Sequence, residues 1–193
     1  MRRLLVGCGA LVALAACGSP QQAADQQSLP LTPSSTSSAA PVPPTSPTTA
    51  ATPAVARCTA ATLSGKVEPT DAGAGNRYGK FVVTNTGQAV CTLNGYSGFQ
   101  LQDASGRPVP TDLQRTQNPG PSPVVLTPGA SAAANLHWNV VPSGDEPVDR
   151  PCRPEASTAA AIPPDETQPM SVAWGLGPVC GGGRIEISAF YAA

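Results

Sequence analysis

Closely spaced turn signals in residues 80–109 restrict the folded part of this chain to short β-strands. Apolar runs there are interrupted at residues 85–87 and 103–106 and at Asn94-Gly95, which are rich in Asn, Asp, Ser and Gly. Such residues tolerate the backbone conformations of turns, and the runs between them are too short for helices. Asn94-Gly95 is the strongest two-residue signal, and it predicts either a hairpin or a corner where the chain crosses to a second sheet.

The remaining apolar segments follow the same period of two. In residues 132–141, Leu136, Trp138 and Val140 alternate with polar residues, as in a strand with one buried face. Residues 157–162 are rich in alanine, which favours helix, but prolines bound them closely and we predict a strand. The candidate strands are residues 63–68, 80–84, 89–93, 98–102, 107–111, 123–126, 132–141, 157–162, 171–174 and 184–191. We expect eight or nine of these candidates to form strands in an all-β fold, an antiparallel β-sandwich.

The first 16 residues are predicted to be a lipoprotein signal peptide rather than part of the fold. Arg2 and Arg3 precede an apolar run that is shorter than the roughly 20 residues of a membrane-spanning helix. The run ends in Leu14-Ala15-Ala16-Cys17, which resembles a bacterial lipobox, so Cys17 is predicted to carry the lipid. The alternative is an ordinary secretory signal cleaved after Ala16. Two acyl chains would hold the protein on the extracytoplasmic face of the cell membrane.

Residues 17–56 are predicted to be a disordered linker that joins this anchor to a domain at residues 57–193. The linker consists mainly of Ser, Thr, Pro, Ala and Gln, and Asp25 is its single charge. Such a composition buries too little apolar surface to offset the entropy of ordering. We expect it to act as a spacer between the membrane and the domain.

The charge balance disfavours a nucleic-acid partner. Without residues 1–16 the chain keeps nine basic and twelve acidic residues, a net charge of about −3. Nucleic-acid binding would call for a clustered basic surface.

Four cysteines are available to stabilise the domain, whose aromatic content is low. Cys58, Cys91, Cys152 and Cys180 remain after Cys8 leaves with the signal and Cys17 is lipidated. An even number in an exported domain predicts disulfides, with three possible pairings. We favour the sequential one, Cys58 with Cys91 and Cys152 with Cys180. Zinc is the weaker alternative, because the chain has no Cys-x-x-Cys and one histidine.

Three groups of residues carry a family resemblance. They are Thr84-Asn85-Thr86-Gly87 with Cys91-Thr92-Leu93 and Gly95-Tyr96; Leu126 and Pro128-Gly129 with Leu136 and Trp138; and Cys180-Gly181. Over residues 57–193 the chain resembles the actinobacterial domain of unknown function numbered 4232. The resemblance implies an immunoglobulin-like sandwich in a secreted protein or lipoprotein. It implies no activity, cofactor or site residue.

Few residues offer catalytic or metal-binding chemistry. His137 is expected on the polar face of its strand and exposed to solvent, so we expect no catalytic residue. Residues 95–98 only partly resemble a nucleophile elbow around Ser97. Asp145, Glu146 and Asp149 share one loop and could gather Ca²⁺, although a solvated cluster is the simpler interpretation. The glycines at 73–75 and 181–183 lack the lysine and helix of a phosphate site and are expected in flexible loops.

Three functions remain open from the sequence. The first is a tethered binding or interaction module whose partner is an envelope protein or ligand, contacted through exposed residues such as Tyr96 and residues 181–183. The second is a carrier of a hydrophobic envelope molecule, which would need an apolar cavity. The third is a hydrolase, for which the sequence offers no clear base. We expect the first, with no enzymatic activity, no metal and no cofactor.

Overall fold

The computed structural model describes residues 55–193, and this part of the chain is built from eleven β-strands. A single 3-10 turn, Ala60–Thr62, precedes them. The strands are β1 (Leu63–Gly73), β2 (Asn76–Asn85), β3 (Cys91–Leu93), β4 (Gly98–Gln102), β5 (Asp112–Thr116), β6 (Val124–Leu126), β7 (Ser131–Asn139), β8 (Thr158–Ile162), β9 (Met170–Ala173), β10 (Arg184–Ser188) and β11 (Tyr191–Ala192). None of the described residues forms a helix long and apolar enough to cross a membrane.

The strands form a sandwich, which confirms the all-β prediction. The larger sheet has the order β1-β2-β7-β10-β5, with β11 also paired to β7. Strands β4, β8 and β9 form a second sheet, and β3 and β6 form a separate pair. All pairings are antiparallel except that of β5 with β10. The immunoglobulin-like arrangement stays a prediction.

Aromatic side chains from both sheets fill the space between them. Phe81 on β2 meets Phe99 on β4 edge to face, with 5.5 Å between ring centroids. Trp138 on β7 lies 5.1 Å from Trp174, which directly follows β9. The alternation in β7 explains this packing, because Leu136 and Trp138 face the core while the residues between them face outward.

Strands β1 and β2 form a longer hairpin than the sequence predicts. Residues 63–68 and 80–84 were expected to be strands, but β1 continues to Gly73 and β2 begins at Asn76. Ala74 and Gly75, both at positive φ, form the two-residue turn between them. Alanine rarely adopts that conformation, so the sequence gives no clear signal of the turn. Asn94-Gly95, in contrast, is a corner, because β3 and β4 lie in different sheets.

Two further predicted strands differ from the structure by more than their end residues. Residues 107–111 make only an isolated bridge at Pro108. The strand forms directly after them as β5, which pairs in parallel with β10. The predicted strand 184–191 is divided into β10 and β11. The hydroxyl of Ser188 accepts the N–H of Asn135 at 2.8 Å, so a side chain takes the place of a backbone carbonyl at the break.

The sandwich has two distinct ends. The described chain enters at the first, where the N–H of Thr92 donates to Ala56 and Leu63 pairs with Asn85. We call this the entry end. At the other end, which we call the far end, lie the β1–β2 turn, residues 140–153 and residues 181–183; Cys180 N–H donates to Asn139 there. The eleven residues of β1 separate the two ends by roughly 35 Å.

One disulfide closes each end. Cys58 pairs with Cys91 at the entry end, and Cys152 pairs with Cys180 at the far end. This is the sequential pairing that the sequence favours, with separations of 33 and 28 residues. Loop closure of this length removes on the order of 3 to 4 kcal/mol of unfolded-chain entropy for each bond.

Candidate functional site

Three neighbouring strands of the larger sheet place an aromatic, an imidazole and a carboxylate in one row on its outer face. Tyr78 on β2 and Glu186 on β10 both pair with His137 on β7. The Tyr78 and His137 rings stack at 4.7 Å between centroids and 18° between planes. His137 Nδ1 lies 3.1 Å from a Glu186 carboxylate oxygen. The row is therefore a connected cluster rather than three separate surface side chains.

Both ring nitrogens of His137 are engaged. Nε2 lies 2.8 Å from the side-chain oxygen of Asn76, whose amide nitrogen donates to the Gly73 carbonyl at 3.3 Å. The imidazole is thus held between two oxygen atoms, and its side chain is only 26 % exposed. The prediction that His137 lies on the outward face of its strand is correct. The prediction that solvent surrounds its side chain is wrong, because residues on the two neighbouring strands contact both ring nitrogens.

An open groove of about 420 Å³ runs along this row. We call it the Tyr78 groove. Its polar lining consists of Thr70, Tyr78, Thr116, Asn118, Asn135, His137 and Glu186. Tyr78 is 42 % exposed. The second carboxylate oxygen of Glu186 has no hydrogen-bond partner among residues 55–193, and that side chain is 41 % exposed.

Hydrogen bonds fix the wall of the groove that Asn135 and Asn118 form. The Tyr191 hydroxyl donates to the side-chain oxygen of Asn135 at 2.8 Å. The amide of Asn135 then donates to the Asn118 carbonyl at 3.3 Å. Side chains on strands, held by such bonds, keep their positions better than side chains on loops do.

A second groove lies on the other side of Tyr78. It has a volume of about 440 Å³ and is lined by Tyr78, Arg77, Trp138, Leu176 and residues 69–72. Trp138 is almost fully buried, and its indole N–H is the one buried side-chain polar atom without a partner among the described residues. Tyr78 therefore separates a polar groove from a more apolar one.

Glu146 fixes the loop at the far end. Its carboxylate accepts the backbone N–H groups of Gly181, Gly182 and Ser143 at 2.8 to 3.0 Å. Arg153 Nε donates to the same group at 3.0 Å. Burial disfavours the ionised carboxylate, but these four bonds outweigh it and lower the pKa of Glu146 to about 2. Gly181 and Gly182 therefore lie in a loop, as predicted, and Glu146 binds the backbone N–H of each.

The acidic residues of this loop do not form a common oxygen cluster. Both oxygens of Glu146 are already occupied, while Asp145 and Asp149 are exposed, the latter 3.8 Å from Arg150. Cys152 and Cys180 lie near Glu146, but their sulfurs are joined to each other and are not free thiolates. The geometry gives neither the calcium nor the zinc hypothesis support.

Ser97 and Tyr96 have structural roles. Ser97 is buried, and its hydroxyl lies within hydrogen-bond distance of the carbonyls of Gly98 and Ile162. The Tyr96 hydroxyl donates to the Thr116 carbonyl at 3.1 Å, and the guanidinium of Arg115 covers its ring at 5.2 Å. The expectation that Tyr96 is free to contact a partner is therefore not supported.

Sequence reasoning missed Tyr78, Asn76 and Glu186 as site residues. A partial signal existed, because His137 and Glu186 both occupy the polar positions of alternating strands. What the sequence lacked was the pairing of β7 with β10 and with β2, which joins residues 49 and 61 positions apart. The predictions for residues 1–54, including lipidated Cys17, lie outside the described residues.

Together, the fold and these grooves define an all-β sandwich domain with a hydrogen-bonded, partly aromatic surface on its larger sheet. The model of the family described as "Domain of unknown function (DUF4232)" matches residues 58–191. The match covers more than half of the chain, so this protein belongs to that family. No curated protein and no solved structure matches the chain significantly.

Proposed function

We propose that this protein is an actinobacterial lipoprotein, anchored through Cys17 on the extracytoplasmic face of the cell membrane, whose sandwich is a binding module of the cell envelope. The anchor rests on the lipobox at residues 14–17 and on the spacer composition that follows it. The ligand or partner is received at the half of the domain that lies towards the far end.

The observation that carries this proposal is the separation of the entry point from the grooves. The chain joins the sandwich beside Thr92 and Asn85, whereas Tyr78, His137 and the Glu146 loop lie towards the opposite end. Because the tether joins the domain at the entry end, it does not cover the surfaces at the far end. An uncovered surface of loops and strand ends is suited to recognition of another envelope component.

The two alternative functions have less support. A carrier would need an apolar cavity, yet between the sheets Phe99 packs against both Phe81 and Trp174. A hydrolase with histidine as its base would need a free ring nitrogen near a nucleophile. Both nitrogens of His137 already lie beside oxygens of Glu186 and Asn76.

Photo-crosslinking in intact cells tests the proposal. A photoreactive residue at Val148, which is 88 % exposed at the far end, is compared with one at Val125, which is 59 % exposed on β6 near the entry end. We expect a discrete crosslinked species from Val148 and none from Val125. Equal labelling at both positions, or labelling at Val125 alone, would contradict the proposal.

A further inference from the structure

We propose that the Tyr78 groove binds a neutral glycan. The proposal rests on the function proposed above, since it names the ligand class that the same domain would receive. It follows from the kinds of groups that line the groove, from their fixed positions and from the absence of basic side chains among them.

Tyr78 supplies an apolar surface for a sugar ring. Its ring stacks on His137, and the residue is still 42 % exposed. The stacking covers one face of the ring, so a sugar would pack against the part of the ring that stays exposed. Aromatic rings combine a large apolar surface with a negative face that attracts the weakly positive C–H groups of sugar rings.

The polar lining offers both donors and acceptors at the same site. Glu186 keeps one carboxylate oxygen without a partner, and Thr70, Thr116 and Asn118 add hydroxyl and amide groups. Sugar hydroxyls both donate and accept hydrogen bonds, so a mixed lining suits them better than a purely acidic or purely basic one does.

Charge and geometry disfavour other ligand classes. The lining contains one carboxylate and no Lys or Arg, so the charge of the lining itself disfavours phosphates and other anions. His137 lies between the Tyr78 ring and the Glu186 carboxylate, since it stacks on the first and bonds to the second. A small ammonium group therefore cannot contact both, whereas an oligosaccharide that extends along the groove past His137 can.

The position on a sheet face also favours a glycan over an extended peptide. Peptides that add to a sheet pair with an exposed edge strand. The groove instead lies on the outer face of the larger sheet across its interior strands β2, β7 and β10, and the edge strands β1 and β5 each add one threonine side chain, Thr70 and Thr116. Its volume of about 420 Å³ falls within the range of roughly 300 to 1,000 Å³ for small-ligand sites.

Binding of defined oligosaccharides to the full chain in detergent micelles tests the proposal. The probes are immobilised neutral glucose, mannose, arabinose and N-acetylglucosamine oligomers, with sulfated oligomers and a tetraalkylammonium ligand as comparisons. We expect a neutral oligomer to bind and Tyr78→Ala to weaken it at least about tenfold. Tyr78→Phe should retain most of the affinity, and Glu186→Gln should weaken it. Val125→Ala, outside the groove, is the control.

Two results would overturn the proposal. One is failure of every neutral oligomer to bind the wild-type chain, including the case in which only charged probes bind. The other is neutral binding that persists in a Tyr78→Ala variant whose unfolding temperature matches the wild type. If crosslinks from Val148 persist under either result, the binding-module function stands and only the glycan assignment fails.

Discussion

Glu146 shows how one buried carboxylate can organise a loop without any catalytic role. Its side chain is 8 % exposed and receives three backbone N–H groups and one guanidinium. In the unfolded chain those donors are solvated by water. The fold therefore stabilises the ionised form, which is the physical reason for its lowered pKa.

This predicts a pH-dependent effect of Glu146→Gln. The neutral amide loses charge-assisted bonds, and we expect the variant to be about 2 kcal/mol less stable at pH 7. Since the pKa falls from 4.5 to about 2 on folding, the carboxylate stabilises the fold above pH 4.5, and this contribution is lost as the pH drops towards 2. Denaturant unfolding across that range should show the two proteins converging. Glu155→Gln, at an exposed position, is the control, and a constant difference at all pH values would contradict the assignment.

Two effects favour glycine at position 183, the positive φ and the close approach of the Pro110 backbone. Gly182 has the first without the second, so it serves as the comparison. Both Gly182 and Gly183 have positive φ, but only a Cβ on Gly183 would collide with the Pro110 backbone. We expect Gly182→Ala to cost about 1 kcal/mol from backbone strain alone. Gly183→Ala should cost clearly more, because Pro110 must move. Thermal unfolding of the two variants measures the difference, and equal losses would show that the Pro110 contact has no energetic weight.

Among the elements, β1 is a long edge strand that carries several features that hinder pairing with other chains. Lys66 and Glu68 are exposed, Pro69 offers no N–H, and the register shifts between Pro69 and Asp71. Charges, prolines and bulges on edges are the usual obstacles to aggregation. The edge is therefore an unsuitable surface for peptide addition, in agreement with a site on the sheet face.

Replacing Pro69 with valine should remove one of these obstacles. We expect Pro69→Val to increase self-association, since the new N–H and the β-branched side chain favour strand pairing. Size-exclusion chromatography with light scattering detects the change. Ala72→Val, on the same strand but beyond the bulge, is the matched control. A Pro69→Val protein that stays as monomeric as the control would contradict this role.

The elements also show what sequence patterns can and cannot predict. Alternation located β4 and β7 well, because each has one buried and one outward face. It failed for β5, whose sequence Asp-Leu-Gln-Arg-Thr has a single apolar residue and is held by parallel pairing with β10. It also failed at Ser188, where a side-chain hydrogen bond divides the last strand. The alternation of apolar and polar residues shows which side chains are buried. The pairing of β5 and the break at Ser188 depend instead on partners that are distant in sequence.

At the scale of the molecule, the same distinction applies to the site. The sequence placed His137 and Glu186 on polar strand faces, and it favoured the disulfide pairing that the structure has. It could not bring Tyr78, His137 and Glu186 together, because cross-strand pairing of β2, β7 and β10 decides that. Nor could it show that Tyr96 is covered by Arg115.

The anchor proposal makes a separate prediction about the whole chain. Cys17→Ala removes the thiol that would receive the lipid, so we expect the variant to lose its affinity for detergent and membranes. Detergent-phase partitioning of both proteins, expressed in an actinobacterial host, measures this. Cys8→Ala, within the predicted signal peptide, should partition like the wild type. Equal partitioning of the Cys17 variant would contradict lipidation.

The central claim is that the domain binds its envelope ligand or partner with the surface that lies away from its tether. Hydrogen exchange of the full chain in detergent micelles, with and without a solubilised cell-envelope fraction, tests it most directly. We predict slower exchange at residues 73–79, 135–150 and 181–186 when the fraction is present. Protection confined to residues 86–94 and 124–130 at the entry end, or no protection at all, would contradict the claim.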